Sequence, residues 1–196
     1  MEEKKYHHGN LRELLIENGI KLVNESGFEQ LTMRKLAAAC NVSHMAPYRH
    51  FKDKTELLQE MQKYIENQFS EILLESVEKH KDQPNAMTEF GKAYVLFFRD
   101  HPDYYSFFVR QDNIIVNLTN TEEIYSNYTP FNIFKEIAEN FLNKNHIPSK
   151  YHYIALAGMW AAVHGLASMA TMTGIQFDGD WGELTEQVLK GVQYHE

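Results

Sequence analysis

Within 30–54 stand five cations, Arg34, Lys35, Arg49, Lys52 and Lys54, against one acid, Asp53, a window of net charge +4. Cations at this density grip phosphate. Ser43, His44, Tyr48, Arg49 and His50 add hydroxyl, imidazole and guanidinium donors to the same stretch. Arg49 and His44 suit base edges, whereas Tyr48, His50, Lys54 and Thr32 suit phosphate oxygens. Lys54 sits where a helix should begin, and a helix N-terminus itself favours phosphate. This is the chemistry of recognising a polyanion, not of making bonds.

Catalytic sets are missing from the sequence. It has no Gly-rich phosphate loop, nucleophile elbow or His-Glu-x-x-His, so an enzyme is not expected. His7-His8 and His146/His152 lack a carboxylate or cysteine at helical spacing to complete a metal set, so neither metal nor cofactor is expected. The single cysteine, Cys40, excludes an intramolecular disulfide and reads as core.

The recognition residues need helices to hold them. Two short helices across a tight turn make a helix-turn-helix pattern. The first runs from about Met33 to Cys40 with Thr32 as N-cap, and Asn41-Val42 makes the turn. Ser43 caps a second through about His50. Ala37 is small at the crossing, and Leu36, Cys40, Val42 and Phe51 fill the wedge. Upstream, Asn10–Glu25 has helical apolar spacing and stops at Gly27. Asp53-Lys54-Thr55-Glu56 forms a capping box that opens a long helix to about Lys81.

Helical spacing continues through Met87–Arg99, Asp103–Arg110, Phe131–Asn143, Ser149 to about Thr173 and Trp181–Gln193, with 111–129 mostly loop. Asp180 and Glu183 form a second box-like start. The chain is therefore expected to be all-α, with about nine helices in two domains, 1–54 and 55–196.

Overall composition conceals the basic window. The 196 residues carry net charge −8, but residues 1–60 hold nine cations and nine acids, so the whole excess lies in 61–196. With 43% hydrophobic residues and 25 aromatics, the chain buries a core without metal or disulfide. Met1-Glu2-Glu3-Lys4-Lys5 leads into no apolar signal region, and a cytoplasmic setting is expected. Residues 151–177 contain no Asp, Glu, Lys or Arg. With His164, Ser168, Thr171 and Thr173 among them, this run reads as a helix buried on nearly all sides rather than a membrane span.

Leu31-Thr32-Met33-Arg34-Lys35-Leu36-Ala37, then Asn41-Val42-Ser43, then Tyr48-Arg49-His50-Phe51-Lys52-Asp53-Lys54 resemble the DNA-binding domain of the tetracycline-repressor (TetR) family of bacterial transcription regulators. Tyr6-His7-His8-Gly9-Asn10-Leu11-Arg12 is similar to family members too. The resemblance implies a base contact for Arg34, phosphate contacts for Tyr48, His50 and Lys54, and base-reading positions at Met45 and Ala46. Many members carry Gly or Pro and then Thr-Leu where this chain has Met45-Ala46-Pro47. With Ser43 as N-cap, Pro47 is the fourth helical residue and removes one backbone hydrogen bond, so this helix starts late or is distorted.

The resemblance also implies a C-terminal domain that binds small molecules and dimerises through its last two long helices. Gly158/Ala162 and Ala161/Gly165, four residues apart, allow close helix approach, and Met169 follows Gly165 by one turn. Trp160 and His164 share a helix face and, with Gly165, resemble the Trp-x-x-x-His-Gly signature of one subgroup. Phe97, Phe98, Tyr105, Phe108, Phe131 and Phe134 supply aromatic surface for core or for a ligand cavity beside Trp160 and His164. A core role for His164, with its ring satisfied by a backbone carbonyl, is the competing reading. The expected protein is a homodimeric repressor with three partners: a near-palindromic double-stranded operator, a small apolar or aromatic effector, and its own second copy. The alternative is a ligand-free helical interaction module that retains DNA binding.

Overall fold

The structure, a computed structural model, describes residues 11–109, 114–119 and 126–193. Tyr6–Leu11, apart from Leu11 itself, lies outside them. The described residues hold eight α-helices and no strand: α1 Leu11–Ser26, α2 Met33–Ala39, α3 Lys54–His80, α4 Ala86–Asp100, α5 Pro102–Phe108, α6 Thr129–Lys144, α7 His152–Thr171 and α8 Trp181–Gln193. Short 3-10 helices occupy Phe28–Gln30, Pro47–Arg49 and Ser149–Tyr151. The described residues within 1–65 and 106–110 form one compact unit, and those within 66–105 and 111–196 form another.

In the first unit, local chemistry sets each boundary. Thr32 has extended backbone and its Oγ1 accepts from Lys35 N–H at 3.1 Å, which starts α2. Asn41 then turns left-handed, at φ 53°. Its N–H donates to Ala38 C=O at 3.1 Å and that of Val42 to Ala37 C=O at 3.0 Å, the paired bonds of a Schellman stop. Asp53 Oδ1 accepts from Glu56 N–H at 3.0 Å, and the Glu56 carboxylate accepts from Lys52 N–H at 2.5 Å, closing the box that opens α3.

Leu15, Ile16 and Ile20 of α1, Leu36 and Ala37 of α2, and Leu57 and Met61 of α3 are buried together with Phe51. A Cβ on Gly19 would lie 1.8 Å from Met61 Cε, so α1 and α3 approach closely where that side chain is missing. Arg12 of α1 pairs with Glu60 of α3 and lies 5.5 Å from the centroid of the Phe51 ring.

The second unit is built around α4, which packs on α6, α7 and α8. Phe69 of α3 and Tyr94, Phe97 and Phe98 of α4 form its aromatic centre, with ring centroids 4.7–4.9 Å from Phe69. Asp180 Oδ1 caps α8 by accepting from Glu183 N–H at 2.8 Å. Glu186 of α8 lies 2.7 Å from both Lys92 of α4 and Lys190, and these two ammonium groups hold its carboxyl down at about 2.

Two expectations change here. The helix expected from Ser149 starts later: Ser149 begins a 3-10 turn, and α7 opens at His152, whose Nε2 bonds Ile147 C=O at 2.9 Å. Nor is the uncharged helix buried on nearly all sides. Tyr153, Ile154, Ala161, Gly165, Met169 and Met172 are exposed in the single chain. Among the described residues, α4, α6 and α8 supply its main helix packing and Tyr105 of α5 bonds its His164 carbonyl, while the residues just named stay uncovered. By length and composition alone, Ser149–Thr171 could cross a membrane.

Candidate nucleic-acid interface and effector cavity

The expected second helix over 43–50 is instead a turn followed by one 3-10 turn at Pro47–Arg49. Proline causes the change. Pro47 has no N–H to give the Ser43 carbonyl, which accepts instead from Ala46 N–H at 2.9 Å. Three-residue bonding continues from Arg49 N–H to Ala46 C=O at 3.1 Å and from His50 N–H to Pro47 C=O at 3.0 Å. The count of about nine helices therefore becomes eight among the described residues.

Burial divides the expected contact residues. Thr32, Arg34, Ser43, His44, Met45, Tyr48 and Arg49 are exposed, and His50 and Lys54 are half-buried. Ala46 is only 8% exposed and sits beside buried Pro47, so its methyl group anchors the turn and cannot read a base. Met45 and Tyr48, at 53% and 50% exposure, flank that anchor. Lys54 opens α3, so its ammonium group stands at the positive end of a 27-residue helix. Donors and cations thus share one short, pinned segment of the first unit.

Cys40 is buried, its thiol 3.8 Å from Leu14 C=O, and burial raises its pKa. This suits a wedge residue rather than a reactive thiolate.

In the second unit, the expected effector aromatics fill the core against one another. Phe131 and Phe134 each place their rings 5.0 Å from Trp160. Phe98 packs on Phe97 at 5.1 Å and on Tyr105 at 5.1 Å. The Phe108 side chain lies outside the described residues. His164 is held on two sides: its Nδ1 donates to Trp160 C=O at 3.1 Å, and Nε2 accepts from the Tyr94 hydroxyl at 3.2 Å. Burial keeps that hydroxyl protonated, well above 10. Tyr105 also donates to the His164 carbonyl at 3.1 Å.

Burial pushes the His164 pKa below its ordinary 6.5, so the ring is neutral in the folded protein. The linkage follows from the lowered value. Its contribution to stability is complete above about 6.5 and is lost as pH falls through the folded value, because the unfolded chain takes up the proton first. Melting temperature against pH should therefore decline more steeply below about 6.5 in the wild type than in His164→Gln. Identical profiles would remove His164 as the cause.

A cavity of about 2030 Å³ lies beside this aromatic core, between the end of α3, the start of α4, α6 and the first half of α7. Leu74, Val77, Met87, Ile133, Ile137, Phe141, Leu142, Ile154, Ala155, Gly158 and Met159 line it. None of the seven expected effector residues with described side chains (Phe97, Phe98, Tyr105, Phe131, Phe134, Trp160 and His164) is in this lining, and Gly158, expected in dimerisation, belongs to the wall. The sequence signal was present on α6. Ile133, Ile137 and Phe141 form a second apolar row beside the core row of Phe131, Phe134, Ala138 and Leu142. A helix that only covers a core needs one such row.

On the open side of α7, Ile154, Ala161, Gly165, Met169 and Met172 are exposed and follow helical spacing. Ala162 is half-buried, and nothing stands within 4 Å of a Cβ placed on Gly165.

A capped helix, a Schellman turn and a donor-rich 3-10 segment make up the recognition-like part of the first unit, and the second unit is helical with its own cavity. Comparison with known families makes this specific. Residues 15–61 match the bacterial regulatory proteins of the tetR family, and residues 87–192, more than half of the chain, match the tetracyclin repressor-like C-terminal domain. The chain belongs to the TetR family of bacterial regulatory proteins.

Among curated relatives, the nucleoid occlusion factor SlmA of Escherichia coli O1:K1 is 35% identical over 68 residues, which is 34% of either chain. The match thus spans about a third of that relative's length. Among solved structures, a Rhodococcus sp. RHA1 protein of unknown function superposes with TM-score 0.73 at 21% identity, covering 97% of both chains. FadR of Bacillus subtilis, solved in complex with stearoyl-CoA, superposes with TM-score 0.69 at 14% identity, covering 92% of this chain and 96% of that one. At these identities the likeness is one of fold.

Proposed function

We propose that this regulator is a cytoplasmic homodimeric repressor that releases a near-palindromic operator when a small apolar molecule enters the cavity of its second unit. The observation that carries this reading is the cavity itself, about 2030 Å³ with a largely aliphatic wall, in a chain whose other unit presents the DNA-binding turn. The stearoyl-CoA held by FadR, which shares the fold, supports a small-molecule effector. By function, DNA binding is assigned to 1–54 and effector binding with dimerisation to 55–196. The three first turns of α3 nonetheless pack within the first unit.

Two copies meeting on the exposed α7 row would read two half-sites roughly 34–36 Å apart, or a multiple of that spacing. Arg49 and His44 read base edges, with Arg34 as a further base contact. Thr32, Tyr48, His50 and Lys54 hold phosphates, and Ser43 and Met45 border the reading face. The effector acts only through unequal affinity for the DNA-competent and DNA-incompetent states, so operator DNA must weaken effector binding by the same factor.

Selection of genomic fragments by the purified protein tests the reading. A near-palindrome should emerge, with affinity falling steeply as salt rises. Arg49→Ala should cost about 1–3 kcal/mol and relax one position of the site. Lys54→Ala should weaken all sequences alike and reduce the salt slope by about 1. Equal affinity for every duplex would defeat the proposal.

A further inference from the structure

Among the described residues, the cavity of the second unit is left open on one side. Leu74, Ile147, Tyr151 and Ile154 of its lining are exposed, although all four are aliphatic or aromatic. Ile154 and Gly158 also belong to a second feature, the row Ile154, Gly158, Ala161, Gly165, Met169 and Met172 along one face of α7 and its C-cap. All of the row but Gly158 is exposed in the single chain. The open side of the cavity and the exposed face of α7 are therefore one continuous surface.

Charge selects what can cover it. The whole excess of −8 lies in 61–196, so two copies of this unit repel each other over most of their surfaces. Residues 151–177 contain no Asp, Glu, Lys or Arg, so the α7 face escapes that repulsion. A second copy of the chain is thus the occupant that suits this face.

Residue sizes set the register. In a two-fold contact, if residue i meets j, then j meets i. Closest approach belongs where side chains are smallest, at Ala161 and Gly165, which centres the crossing on residue 163. An antiparallel crossing also sets opposite helix-dipole ends side by side. Ala161 then faces the partner's Gly165. Ile154 faces the partner's Met172, each nine residues, about 13–14 Å, from the centre. Small residues meet where the helices touch, and long ones meet where crossed helices diverge. Ile154 and Met172 are each 54% exposed in the single chain, so both have apolar surface to bury.

We propose that the cavity is a composite site, its open side beside Ile154 and Tyr151 closed by the partner's Met172. This rests on the homodimeric, ligand-responsive reading above. The effector site is complete only in the dimer, so occupancy and association strengthen each other. Methionine suits the place, since its flexible thioether follows the shape of different occupants.

Cysteine pairing in the full-length protein tests the register. Ile154→Cys and Met172→Cys together should give a disulfide-linked dimer on mild oxidation. The two positions lie 18 residues apart along one helix, about 27 Å, so no bond closes within a chain. Each single variant should stay unlinked, because its cysteine faces a native side chain and Cys40 is buried. Linkage by Ile154→Cys alone would overturn the proposal, since it requires a parallel crossing. A dimer in sedimentation with no linkage in any variant would also overturn it, leaving the homodimeric reading intact. A wild type that sediments as a monomer would defeat both.

A further variant tests the wall. Met172 is exposed in its own chain, so Met172→Trp leaves that chain undisturbed and puts an indole at the mouth of the partner's cavity. Binding of the apolar dye anilinonaphthalene sulfonate, read by its fluorescence, should weaken about tenfold while sedimentation still shows a dimer. Tyr153→Trp, exposed but off the row, should leave dye affinity unchanged. Undiminished dye affinity in Met172→Trp would remove the partner from the site. Linkage and dye loss, with operator DNA still bound at saturating dye, would uphold the composite cavity and count against the ligand-responsive reading.

Discussion

Gly165→Glu should convert the protein to a monomer near 22.9 kDa and weaken operator binding by at least about a hundredfold. Gly165 lies on the exposed row of α7, in a stretch of 27 residues without a formal charge. No atom stands within 4 Å of the added Cβ, so the single chain accepts the new side chain and far-ultraviolet circular dichroism should not change. In a two-fold interface, each glutamate faces the partner's apolar row, and two carboxylates lose water with no cation on that helix to receive them. Removing the dimer removes simultaneous grip on two half-sites, which is why the loss on DNA should be large. Sedimentation equilibrium and a mobility-shift titration read the two effects. A variant that stays dimeric with undiminished DNA affinity would move the interface off this row.

Phe98→Ala should give the largest loss of stability, about 3–5 kcal/mol. Phe98 is fully buried and packs its ring against Phe69, Tyr94, Phe97 and Tyr105, with centroids 4.7–5.4 Å away. Truncation leaves a ring-sized void among side chains that are themselves held by neighbours, so the site cannot collapse fully. Denaturant titration followed by tryptophan fluorescence should register the change, because Trp160 lies 5.7 Å from Tyr94 in the same cluster. A loss below about 1 kcal/mol would mean that the cluster is not the stabilising centre of this unit.

The elements most legible in the sequence were those set by neighbours along the chain. Thr32, Asp53 and Asp180 were expected to cap helices, and each accepts the N–H three residues on. A cap is decided within four residues, so tertiary context has little opportunity to override it. The same locality made the distortion at Pro47 readable, because a missing N–H at a known position has one consequence. Its full outcome, a 3-10 turn at Pro47–Arg49 that packs against α2 with Ala46 buried beside it, depended on tertiary packing.

His164 shows the middle ground. A histidine one helical turn after a carbonyl-bearing residue was readable as a group satisfied by its own backbone, and Trp160 C=O does receive its Nδ1–H. The second partner, the Tyr94 hydroxyl, comes from a residue 70 positions away and could be found only after α4 and α7 had packed.

The sequence by itself determined the helical periods, their caps, the +4 window and the uncharged run that became α7. Only the tertiary structure decided which apolar surfaces meet each other and which meet a void. The aromatics counted toward a ligand site close on themselves, and the cavity instead draws Leu74, Ile137 and Met159 together from three separate helices. The reason is physical. Hydrogen-bond caps and the 3.6-residue period act over a single turn, and burial ranks every apolar residue alike. Whether a side chain packs against another or borders a cavity is set by how distant helices cross.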